Sequence, residues 1–148
     1  MSNIIDTNPS STSLRKLFDI KAVSDKVLNL IPDMILIKGS YSHVLWANEA
    51  FLTYYGMSNA QLQGLIDSPI SKPDDTLKYI QDDSYVFNTG KTLDIPEESV
   101  TRFDGEVRYL NTVKTAFRDE SGVITMTIGV SRDITDHKFA DQKEKEAH

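Results

Sequence analysis

Asp74-Asp75 and Asp82-Asp83 are two adjacent acidic pairs, and their spacing of eight brings them toward one face of a helix. Paired carboxylates do acid–base work when one is held protonated and the other ionised. On a partly exposed helix the same residues act as solvation or as favourable charges at the helix start. The histidines are His43, His137 and His148, with no two at metal-ligand spacing and none framed by carboxylates in sequence, so no metal site is expected. Cysteine is absent, which removes disulfides, thiolate metal sites, a cysteine nucleophile and any covalent thiol adduct. There is no Gly-rich phosphate loop, GxSxG elbow or HExxH helix. The chain is therefore not expected to be an enzyme. A small α+β enzyme working through the acidic pairs and tyrosines is the outsider.

Hydroxyl groups offer a second kind of chemistry. Between residues 124 and 131, Thr125, Thr127, Gly129 and Ser131 alternate with Ile124, Met126, Ile128 and Val130. Alternate side chains of a strand face opposite ways, so one face is small and polar and the other apolar. Threonine also favours strands for its shape alone, with its hydroxyl bonded to nearby backbone.

Those residues need elements to position them. The 148 residues suit one domain; 39% are hydrophobic and 26% charged, as in a soluble globular chain. The net charge of −6 argues against a nucleic-acid partner, which needs a basic stripe. No apolar run reaches membrane-spanning length and the polar start is no signal peptide, so a cytoplasmic location is expected. Residues 1–12 read as a frayed lead-in, and Leu14, Leu17 and Phe18 sit at helical spacing behind a Ser/Thr cap. Val27, Leu28 and Ile31 mark a second short helix, stopped by Pro32. Met34 to Ile37 predicts a buried strand, Gly39 to Ser42 a turn, and His43 to Ala47 the returning strand. Asn48 caps a helix closed by Gly56, and Ser58 caps another through Leu62 to Leu65. Ser68 to Pro73 is a loop, and Asp74 to Asn88 is the longest helix, although Leu77, Ile80, Tyr85 and Phe87 share no single stripe. Asp94 to Arg102, Glu106 to Phe117 and Val123 to Arg132 predict three strands, with Pro96 marking an edge or a bent start. Asp133 then caps a helix over the polar tail from Ile134. Helices grouped between two sets of antiparallel strands make the fold class α+β.

In this order the chain resembles a PAS domain from Val27 to His137. The resemblance rests on VLWANEAF (Val44 to Phe51), on Phe103 to Gly122, on ITMTIGVSRDIT (Ile124 to Thr135), and on the helical middle between them. It implies a five-stranded antiparallel sheet in the order 2-1-5-4-3, with short helices over one face. Residues 1–26 would be a flexible lead and helical cap, 27–135 the domain, and 136–148 the start of a linker helix. The implied role is a non-catalytic sensor or dimerisation module of a larger signalling protein, of the two-component type. The alternative is a ligand-free dimerisation scaffold.

Alignment on Ile128-Gly129-Val130 implies that Gly129 and Ser131 face the helices, together with Leu110, Thr112, Lys114 and Ala116 of the neighbouring strand. A pocket lined by Tyr54, Tyr85, Thr112, Lys114, Thr127 and Ser131 would then take a small polar or anionic molecule, with Thr125, Tyr55 and Tyr79 beside it. Lys114 can instead pack its stem and send its ammonium to water. Trp46 is a ligand wall, a core residue or a dimer contact. Flavin-binding photosensory members carry a cysteine early in the helical middle and a glutamine where this chain has Ser131. Haem-binding members carry a histidine on the long helix, and 74–88 contains none. Neither cofactor is expected. The outer face would carry Met126, Ile128 and Val130, an apolar band that needs a cover. Leu14, Leu17 and Phe18, a second protomer, or both would supply it, which predicts a homodimer. Asp133 and Thr135 match the family's signalling junction, and Asp136 completes a weak capping box. The expected partners are a second copy and a C-terminal effector, a kinase or cyclase, but neither nucleic acid nor a membrane.

Overall fold

The computed structural model describes residues 22–65 and 73–146. The expectations for 1–12, for Leu14, Leu17 and Phe18, and for the loop over 68–72 lie outside those residues. Helix α1 covers 22–30 and stops before Pro32, whose ring cannot continue it. Strand β1 (Met34–Lys38) and strand β2 (Val44–Ala47) flank a single 3-10 turn at Ser40–Ser42. Helices α2 (Glu49–Tyr55), α3 (Asn59–Leu62) and α4 (Pro73–Thr89) follow, then β3 (Leu93–Thr101), β4 (Val107–Arg118), β5 (Ile124–Asp133) and α5 (Thr135–Glu146). The strands form one antiparallel sheet in the order β2-β1-β5-β4-β3.

Local chemistry sets the helix ends. Ser58 and Gln61 form a reciprocal capping box at the start of α3. Gly56 closes α2 at φ 65°, a left-handed conformation that an L side chain adopts only with strain. Asn48 does more than cap. Its side-chain oxygen accepts from the Phe51 N–H at 3.2 Å and from the Ile35 N–H at 2.9 Å. Its amide nitrogen donates to the carbonyls of Leu28 and Asp33, both at 3.0 Å. One fully buried side chain thus joins α1, β1 and α2.

Pro96 lies on β3, the edge strand that its missing N–H requires. Ile95 faces Thr112 and Glu98 faces Leu110, so Pro96 and Glu97 bulge opposite Asn111. The bulge reverses which side chains face inward: Leu93 and Ile95 before it, Glu98 and Val100 after it.

The core lies between the sheet and α2–α4. One cluster holds Val44, Ala47, Leu52 and Leu62, and a second holds Met34, Val100 and Leu110. The opposite sheet face is half covered. Phe139 of α5 stands edge-on to Tyr109, with ring centroids 6.2 Å apart, and Lys138 Nζ lies 3.9 Å from that ring. Val130 and Phe117 remain exposed there. Trp46 pairs with Ile37 on the same outer side. Among the described residues no helix is long and apolar enough to cross a membrane.

Candidate functional site

Strand alternation carries Met34, Leu36 and Lys38 of β1, Leu110, Thr112 and Lys114 of β4, and Thr127, Gly129 and Ser131 of β5 to the helical face. They line a cavity of about 70 Å³, closed above by Phe51, Tyr55, Tyr79 and Asp83. This volume holds a small molecule of a few heavy atoms or several waters.

One end of the cavity is ionic. Asp83 of α4 accepts from Lys38 Nζ at 2.7 Å through Oδ2 and from Lys114 Nζ at 2.7 Å through Oδ1. Ser42 Oγ also donates to Oδ2, at 2.8 Å. Burial pushes the Asp83 carboxyl up, but the Lys38 and Lys114 ammonium groups outweigh it and hold it below the usual carboxylate range. The Tyr79 ring centroid lies 5.7 Å from Lys114 Nζ. In the middle, the hydroxyls of Thr112 and Ser131 bond each other at 2.7 Å across directly paired strands. At the far end Glu98 lines the cavity, with Oε2 buried and lacking a hydrogen-bond partner.

Thr112, Lys114, Thr127 and Ser131 stand together as expected. Lys114 does not snorkel; it is buried and held by Asp83. Three expected residues lie elsewhere. Tyr85 is exposed, because α4 turns Tyr79, Asp83 and Val86 inward instead. Thr125 is exposed, because Phe117 pairs with Met126 and Arg118 with Ile124, leaving Thr125 in an irregularity. The Tyr54 hydroxyl leaves the cavity and donates to Asp133 Oδ2 at 3.0 Å. Sequence reasoning missed Lys38 and Glu98, and read Asp83 as one of an acidic pair rather than as the partner of two lysines in the cavity wall. Lys38 had a signal in the alternation Met34, Leu36, Lys38, and Glu98 had one in the bulge that Pro96 announces.

Below the cavity is the exit junction. Asp133 ends β5, where its Oδ2 also accepts from Arg108 Nε at 2.8 Å and its Oδ1 from the Thr135 N–H at 2.9 Å. Thr135 is buried, and its hydroxyl oxygen accepts from the Tyr109 N–H at 2.8 Å. Asp136 makes no capping box; its exposed carboxylate lies 3.8 Å from Arg108. Burial raises the Tyr54 hydroxyl above its ordinary range, and the neighbouring Asp133 charge raises it further. Burial also pushes the Asp133 carboxyl up, but bonds from Arg108, Thr135 and Tyr54 outweigh it and hold it at about 2. A depressed carboxyl stabilises the fold fully above 3.8 and loses that contribution as pH falls through about 2. Tyr54→Phe is expected to cost only about 1.5 kcal/mol, since it removes one hydrogen bond to the Asp133 carboxylate while those from Arg108 and Thr135 remain. It should nevertheless speed amide exchange in the first turn of α5 without affecting α4. Uniform exchange across both helices would show that Tyr54 supports only the core.

A family profile described as PAS fold matches residues 28–138. An uncharacterised protein of Sinorhizobium fredii, y4lL, is 26% identical over 88% of this chain, which spans 16% of that protein. The Vibrio cholerae VqmA dimer, solved in the absence of its target DNA, superposes with a TM-score of 0.69 at 24% identity. The match covers 80% of this chain and 52% of VqmA, so this chain spans about half the length of that relative. A PAS domain from Colwellia psychrerythraea covers 79% of this chain and is itself 98% covered, with a TM-score of 0.66 and 20% identity. These neighbours correct one expectation. The acidic balance argued against a nucleic-acid partner, yet the same fold occurs in a VqmA–ligand–DNA complex and in an RNA-binding light-oxygen-voltage receptor. In such longer proteins other segments can carry the basic surface, so charge counted over this one domain excludes nothing. With the sheet order and the matched profile in agreement, the chain belongs to the PAS-fold family.

Proposed function

We propose that this domain is a non-catalytic sensor and dimerisation module that takes a small organic molecule into the cavity and sends the change out through α5. The observation that carries this reading is the placement of two successive tyrosines. Tyr55 lines the cavity, whereas Tyr54 donates to Asp133 at the start of α5. Their rings are in edge contact at 5.3 Å, so a ligand that displaces Tyr55 also moves the Tyr54–Asp133 bond. The neighbour VqmA bound to DPO offers a precedent for a ligand in this fold. The exposed Val130 and Phe117 suit a dimer contact on the outer face.

A second reading has its own support. Lys38, Asp83 and Lys114 largely satisfy one another and the cavity is small, as in a ligand-free scaffold. Native mass spectrometry of the full chain, incubated with the small-molecule fraction of a cell extract, separates the two. The sensor gives a dimer with a defined non-covalent adduct, which Lys114→Met loses. A bare dimer that takes up no mass from any extract establishes the scaffold.

A further inference from the structure

Glu98 is an unusual residue to find inside this cavity. The bulge at Pro96 turns it inward, and its side chain is 7% exposed. Its nearest charge is Lys78 Nζ at 3.7 Å, beyond hydrogen-bond reach and on a half-exposed side chain. A buried carboxylate oxygen without a donor is costly, and native structures retain few such groups. At the opposite end the arrangement is the reverse. Lys38 and Lys114 each give a hydrogen bond to Asp83, although an ammonium can donate three. Two ammonium groups against one carboxylate leave a positive charge in excess there. The cavity therefore has an excess of positive charge at one end and a carboxylate oxygen without a donor at the other.

Resting on the sensor reading, we propose that the cavity selects a small dipolar molecule: its oxygen acceptor end faces Lys38 and Lys114, and its N–H donor end faces Glu98. Glu98 pairs with Leu110, four positions along β4 from Lys114. Four strand positions span roughly 14 Å. Both side chains line the cavity, and each hydrogen bond takes about 2.9 Å. A short molecule with polar groups at its two ends fills what remains. Its middle meets Met34, Val100 and the Phe51 and Tyr55 rings, tilted to each other with centroids 4.5 Å apart. The Thr112 and Ser131 hydroxyls already bond each other and add little preference for either end.

Four probes test this on the full chain by ligand-observed NMR: 4-aminobutanoate, butanoate, butylammonium and xenon. The first is expected to bind at least tenfold more tightly than the next two. Glu98→Gln should abolish that advantage and raise the thermal midpoint, because it removes a buried carboxylate whose Oε2 lacks a hydrogen-bond donor. A merely structural Glu98 would lose stability and binding together, which overturns the proposal. Butanoate binding as tightly as 4-aminobutanoate, or xenon entering alone, also overturns it while leaving a ligand-taking cavity. If no probe enters, xenon included, the sensor reading fails as well.

Discussion

Asp83→Leu is expected to lower the unfolding free energy by about 3–5 kcal/mol, because breaking a buried ion cluster leaves uncompensated charge. Lys38, Asp83 and Lys114 are 5%, 5% and 7% exposed, so neither ammonium can reach water without opening the site. The loss spreads to the turn between β1 and β2. Tyr41 and Ser42 both hold φ at 60°, a strained conformation for these residues, and the Ser42–Asp83 bond anchors them. Urea denaturation measures the effect, and the triple variant Lys38→Met, Asp83→Leu, Lys114→Met controls for it. Replacing all three charges removes their desolvation cost along with their attraction, so the triple variant should recover most of the lost stability. Acid offers a second readout. The Asp83 carboxyl is depressed in the folded state, so its contribution is complete above 3.8 and disappears as pH falls through the lower folded value. Asp83→Leu should therefore flatten the acid limb of the stability curve. An unchanged urea midpoint would mean that the lysines reach solvent and the cluster is not buried.

The strands were legible because alternation, Gly-containing turns and Pro96 all pointed one way. The inward set Thr112, Lys114, Thr127 and Ser131 followed once the register of β5 was known. Helix α4 was harder to read. Its inward face is Tyr79, Asp83 and Val86, and the charged Asp83 breaks the apolar stripe that periodicity detects. Tyr85 looked like a wall residue by type alone, yet it sits off the Asp83 face. Adjacent acids hid the difference between Asp82, which is not part of the cavity wall, and Asp83, which is. The partner of Asp83 on β1 showed only in the alternation Met34, Leu36, Lys38, because Lys38 also ends an apolar run and reads as the start of a turn. Buried charges are recognised by their partners, and partners distant in sequence appear only once the sheet is assembled.

Asn48→Ala carries the other large loss, about 3–4 kcal/mol, since it orphans two N–H groups at about 1–3 kcal/mol each, one of them the capped N–H at the start of α2. Those groups belong to Ile35 on β1 and Phe51 on α2, and both bond the one side-chain oxygen. The amide nitrogen does separate work, holding the Leu28 and Asp33 carbonyls and so fixing α1 against the sheet. Asn48→Asp divides the two roles. Aspartate keeps both acceptor bonds and caps α2 as well as asparagine does, but it has no donor for Leu28 or Asp33. Hydrogen exchange should then show Asn48→Ala loosening β1, α2 and residues 22–30 together, and Asn48→Asp loosening 22–30 while β1 and the first turn of α2 stay protected. Equal loosening of all three segments in both variants would mean that they unfold as one unit. In that case the amide nitrogen, rather than the cap, governs how the N-terminal helix is coupled to the cavity wall.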